Sequence, residues 1–157
     1  MEHLKLDKQT ATKLYPAAAP EFKIMLETTF GKEIFSGKIT DRVRSYEDAC
    51  LELNIDSEDN LPYDSPFDID EEATNNVKKM FTIARALNEG WKPDWRNSNQ
   101  YKYFPYFDMS SGSLVFAYVR FWRSGSSVGS RLCFKSRELA EYAGTQFTDI
   151  YKRFMVL

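Results

Sequence analysis

Apolar positions recur at helical spacing through the first ninety residues and then switch to a period of two. Pro20 suits a first helical position. Phe22, Met25, Leu26 and Phe30 follow on one stripe, and Gly31 closes the helix. A shorter helix fits residues 7–15, ended by Tyr15-Pro16. Ser45 with Asp48 three residues on reads as a capping arrangement for a helix that buries Ala49, Cys50 and Leu53 and stops near Asn54. The strongest helical pattern runs from Asp70 to Glu89, with acids in its first turn. Ala73, Val77, Met80, Ala84 and Leu87 form its stripe, and Gly90 its stop.

Beyond that helix, residues 101–107, 114–123 and 131–135 read as three β-strands, rich in aromatic and β-branched residues. Short turns between them predict an antiparallel meander, and Pro105 places the first strand at an edge or a bulge. Alternation in the second strand puts Val115, Ala117, Val119 and Phe121 on a core face, and Phe116, Tyr118, Arg120 and Trp122 on the other. Ser136 caps a final helix carrying Leu139, Ala143, Phe147, Ile150 and Phe154, expected to pack on the sheet. The fold class is therefore α+β in a single domain over 1–157. It divides into a helical part (1–55), an acidic loop (56–69) and a helix-β-β-β-helix core (70–157).

Composition changes this picture in two ways. Residues 1–76 carry 8 Lys and Arg against 17 Asp and Glu, a balance of −9, whereas residues 77–157 carry 13 against 6, a balance of +7. Acidic and basic faces matter for partners; the two halves neutralising each other is the competing reading. Residues 56–72 alone hold eight acids and no base, but their spacing lacks the mid-loop glycine and closing glutamate of a calcium loop, so they read as a solvated connector. Aromatics are also concentrated: eleven of 24 lie between Trp91 and Trp122. No apolar run reaches the length of a membrane span, Met1 to Lys5 lack a signal-peptide pattern, and Cys50 and Cys133 read as buried free thiols. The expected location is cytoplasmic, with no membrane association.

Candidate chemistry is sparse. Gly125-Ser126-Ser127-Val128-Gly129 matches the letters of a nucleophile elbow, but a strand follows it where a helix is required, and the sole histidine, His3, lies in the terminal segment. A single histidine also argues against zinc sites and His-based acid–base chemistry, so the sequence predicts no catalytic residue, no metal and no cofactor. Arg123 and Arg131 bracket the Ser/Gly loop, which reads either as a hairpin tip or as a phosphate contact. Trp91-Lys92-Pro93-Asp94-Trp95 reads as a turn that clamps onto the core or lines a pocket.

Residues 86–95, 107–112 and 129–144, with Asp41-Arg42-Val43 and Tyr46-Glu47-Asp48-Ala49 upstream, resemble a family of small uncharacterised proteins of gut anaerobic bacteria and their phages or prophages. That resemblance implies a mobile-element setting and supplies no catalytic residue. The expected function is a non-enzymatic binding or assembly module acting through protein–protein contact or self-association. Its surface would comprise Phe116, Tyr118, Arg120, Trp122, Arg123 and Arg131. The alternative is a single-stranded nucleic-acid-binding protein, with Arg120, Arg123 and Arg131 on phosphates and Tyr118 or Trp122 stacked on bases. A third possibility is that the residue 20–30 helix covers this face.

Overall fold

A computed structural model describes residues 6–58, 64 and 66–156. His3 and part of the acidic connector lie outside them. Seven α-helices and a two-stranded antiparallel sheet make up the described chain, an α+β arrangement. The order is α1 (Lys8–Leu14), α2 (Pro20–Phe30), α3 (Ile39–Arg42), α4 (Tyr46–Leu53), α5 (Asp68–Leu87), β1 (Lys102–Asp108), β2 (Val115–Trp122), α6 (Arg137–Gln146) and α7 (Thr148–Met155).

Local signals set the helix ends. Pro20 opens α2 and Gly31, at φ +89°, receives its last turn. The Ser45 hydroxyl and the Asp48 carboxylate form a reciprocal capping box on α4, which ends on Asn54 in the left-handed region at φ +57°. Three acids stand in the first turn of α5. Burial follows the pattern less closely on α2, where Leu26 is buried while Met25 is exposed.

The core joins α4, α5, α6 and α7 to one face of the hairpin. Ile83, Leu87, Phe134, Ala140 and Ala143 are wholly buried at its centre. Helix α6 lies against β1 and β2, and α7 against α5. Contact between α6 and the hairpin is closest at Gly144, where an added Cβ would sit 2.5 Å from a Phe116 ring carbon and 2.7 Å from Pro105 Cβ. Tyr142 and Gln146 of α6 also donate to the carbonyls of Val43 (2.8 Å) and Arg44 (3.0 Å), tying the amino-terminal segment to the carboxy-terminal helix.

Three expectations are corrected. Residues 131–135 form no strand: the pairing there is one antiparallel bridge, Tyr103 with Phe134. The reason is Asn88, whose buried side chain occupies the other edge of that segment. It donates to Cys133 O (2.9 Å) and accepts from Lys135 N (2.9 Å), the two bonds a neighbouring strand would make. The meander is thus a hairpin plus one bridge. The carboxy-terminal helix is two helices, because Phe147 leaves helical geometry at φ −112°, ψ 25°.

The third correction concerns strand alternation. Tyr106 pairs with Tyr118 and Phe107 with Phe116, so Ala117 has no partner and forms a bulge. The bulge reverses the parity of β2. Phe116 therefore joins Val119 on the core side, and Val115 is exposed. Pro105 neighbours this irregularity. Tyr103 turns its N–H and C=O to Phe134, so Pro105, two residues on, turns the same way and its missing N–H costs no bond to β2.

Burial drives the Cys133 thiol up from 9.0 to about 11. Burial likewise raises the Tyr142 and Tyr151 phenols, and the Tyr151 hydroxyl is enclosed without a hydrogen-bond partner. Each raised group is held protonated by the fold, so its stabilisation is complete below its ordinary pKa and fades as pH rises toward the folded value. Unfolding free energy should fall between pH 9 and pH 11, with Cys133 contributing at most about 1.4 kcal/mol per pH unit. Denaturant titrations across that range should show a shallower slope for Cys133→Ala. Gly144→Ala should cost about 1–3 kcal/mol through overpacking, read from the same titrations.

Candidate interaction surface on the hairpin

The sheet face opposite α6 carries Lys102, Phe104 and Tyr106 from β1 and Tyr118, Arg120 and Trp122 from β2. Part of this face is sealed. Lys102 is 0% exposed and donates to four backbone carbonyls: Asp94 (2.5 Å), Gln100 (2.7 Å), Arg123 (2.9 Å) and Asn97 (3.1 Å). The Trp95 ring centroid lies 5.3 Å from Nζ, and its indole N–H donates to Ser130 Oγ at 2.7 Å. Trp95 therefore clamps the 91–100 loop onto the hairpin base, as the sequence allowed. A buried ammonium normally requires a carboxylate; here converging carbonyls, acceptors that would otherwise go unpaired in a dry site, take that place.

Around buried Lys102 and Phe104 the face meets solvent. Tyr106, Tyr118 and Trp122, the last paired across the strands with Lys102, are 40, 45 and 42% exposed, so the residue 20–30 helix does not cover them. Tyr106 and Tyr118 stack at 4.9 Å between centroids, and Trp122 lies parallel to buried Phe104 at 6.4 Å. Arg120 sits over this pair. Its guanidinium is 4.3 Å from the Tyr106 centroid and donates to Tyr118 Oη at 2.7 and 3.2 Å, a bond that raises its pKa further. Cation–π contacts of this exposed kind contribute about 0.5–1 kcal/mol each, enough to bias the side chains toward this arrangement.

Of the six residues expected to form one surface, the structure places three together: Tyr118, Arg120 and Trp122. Phe116 is on the opposite side, against α6 and Phe107. Arg123 turns to Tyr101, hydrogen-bonding its hydroxyl at 2.9 Å, and Tyr101 meets Phe121 edge-on at 4.8 Å. Phe121 shares the side of Val119 yet is 45% exposed. It is not the buried residue its alternation predicts. Arg131 is elsewhere, 5.7 Å from the Phe81 ring of α5. The Ser/Gly loop between these arginines is closed on itself: Ser126 Oγ accepts from Val128 N (3.1 Å) and Gly129 N (2.8 Å), a turn hydrogen-bond pattern with no adjacent base.

Sequence reasoning passed over Tyr106 and Lys102. Tyr106 was legible as the aromatic two positions from Phe104 on an alternating strand. The burial of Lys102 was not, since its acceptors come from the preceding loop and from Arg123. Among the described residues, no group of three or more His, Cys, Asp or Glu side chains is placed to hold a metal ion, and no helix is long and apolar enough to cross a membrane. No protein-family model, curated protein or solved structure matches the chain.

Lys102→Met should leave four carbonyls without their shared donor. A loss of about 3 kcal/mol or more is expected by chemical denaturation, with a changed Trp95 emission reporting release of the 91–100 loop.

Proposed function

We propose that this chain is a non-catalytic assembly module that pairs with a second copy of itself through the exposed Tyr106–Tyr118–Arg120–Trp122 face. The observation that carries the reading is the composition of that face: rings and a guanidinium side by side, already fixed by mutual stacking. A two-fold contact requires a patch complementary to itself, and a patch holding both a cation and π-faces meets that condition, since Arg120 of each copy can lie on a ring of the other. Part of the side-chain ordering that binding requires is met beforehand by the contacts among Tyr106, Tyr118 and Arg120. Tyr, Trp and Arg are also the residue types that dominate interface energetics. The mobile-element setting implied by the sequence resemblance accords with a small assembly protein.

Single-stranded nucleic acid is supported less well. Of its three expected phosphate contacts, Arg123 is engaged by Tyr101 and Arg131 lies near α5, which leaves Arg120 alone beside the stacking rings. The open edge of β2 is also partly guarded, since the Arg137 guanidinium donates to Val119 O at 3.4 Å, and this favours face-to-face contact over strand addition.

Light scattering over a micromolar to millimolar range should show a concentration-dependent dimer. Combining Tyr118→Ala with Trp122→Ala should weaken it at least about tenfold while leaving the thermal midpoint of the monomer close to unchanged. A monomer at every concentration would overturn the reading.

A further inference from the structure

A second site lies away from the sheet face. The last turns of α5, the Gly90–Pro93 turn and the Ser130–Arg131 segment enclose an open cleft of about 570 Å³. That volume falls within the range of small-molecule sites. Its chemistry is one-sided. Arg85, Lys92 and Arg131 supply three cationic side chains, and among the described residues no carboxylate lines the cleft. Among the described residues none of the three is ion-paired, in contrast to Arg42 and Lys135 nearby, which are engaged with Glu89 at 3.6 and 2.7 Å. The adjacent carboxylate is thus already committed, and those contacts lower its pKa. Three exposed like charges around one cleft make its rim positive, a field that attracts an anion.

The walls add a second requirement. Phe81, Trp91 and Pro93 present half-buried apolar surface, and Arg131 already lies against the Phe81 ring at 5.7 Å. A free inorganic anion would use the cations and leave these walls wet. A planar ring would fill them. The back of the cleft is rigid, because both ends of the Asn88 amide are occupied by Cys133 O and Lys135 N.

From these features we infer that the cleft binds a small phosphorylated compound carrying a planar ring, the chemical class of a mononucleotide. Arg85, Lys92 and Arg131 face the phosphate, and Trp91 and Phe81 the ring. The site is independent of the self-association proposed for the hairpin. Its residues lie on α4, α5, the 88–93 turn and the Ser130–Arg131 segment, off the exposed hairpin face, so either proposal can fail without the other.

Calorimetric titration of the full chain with the four ribonucleoside 5′-monophosphates, their nucleosides and inorganic phosphate separates the contributions. At least one monophosphate should bind about tenfold or more tightly than both its nucleoside and phosphate, with weaker affinity at higher salt. Arg85→Ala combined with Arg131→Ala should reduce that affinity about tenfold or more. Both side chains are exposed, so an unchanged thermal midpoint verifies the fold. Trp91→Phe should abolish any quenching of tryptophan emission by the ligand. Absence of binding by all four monophosphates at millimolar concentration would overturn the inference. So would affinity no greater than that of phosphate, or affinity indifferent to the double substitution.

Discussion

The hairpin half of this molecule depends on a single buried cation. Lys102 opens β1 with no solvent exposure and, among the described residues, without a carboxylate, held by four peptide carbonyls from two separate stretches of chain. Those acceptors fix the 91–100 loop to the hairpin base and bring Trp95 over the ammonium. Without that node, the carbonyls of a loop rich in polar residues would have to find water, and the Trp95–Ser130 hydrogen bond would be left to hold the loop. The position of the loop in turn sets Trp91 and Pro93 at the mouth of the α5 cleft, and the same ammonium ties down Arg123 at the end of β2. One side chain therefore anchors the neighbourhood of both surfaces.

Asn88 performs a matching task on the other side of β1. Its amide satisfies the outer edge of residues 133–135 while Tyr103 satisfies the inner edge at Phe134, so a segment with strand-like composition is fully bonded without becoming a strand. Glu89 adjoins it in the left-handed region at φ +48° and bridges Arg42 to Lys135, connecting α3 to the segment that precedes α6. Polar groups from the end of α5 thus organise the chain on both sides of it. Burial alone would not specify so particular an arrangement.

How much of this could be read from residues alone depended on distance along the chain. Helix ends were legible where the signal is local: Pro20, Gly31, the Ser45–Asp48 box and the acids opening α5 all act within a turn of themselves. Strand residues were legible, but their sides were not. Alternation over β2 gives a clean result until an unpaired Ala117 intervenes, and alanine carries no mark of a bulge. The third strand failed for a non-local reason, since the side chain that occupies its edge comes from 45 positions earlier. For the candidate surface, the sequence identified Tyr118, Arg120 and Trp122 as neighbours from period-two spacing. It could not separate Phe116, Arg123 and Arg131 from them, because those depend on the bulge, on Tyr101 and on Phe81.

The unpaired Ala117 also bears on how such a surface can change. In a regular strand, losing one residue turns every residue on one side of the deletion to the opposite face. Here one residue sets the phase of everything before it relative to everything after it. Loss of that codon, with the hairpin turn kept in place, would remove only the unpaired residue: Phe116 would still face the core and Val115 solvent, with Tyr118, Arg120 and Trp122 where they are. The bulge is a point of slack, where a small hairpin can lose a residue and still present the same aromatic face.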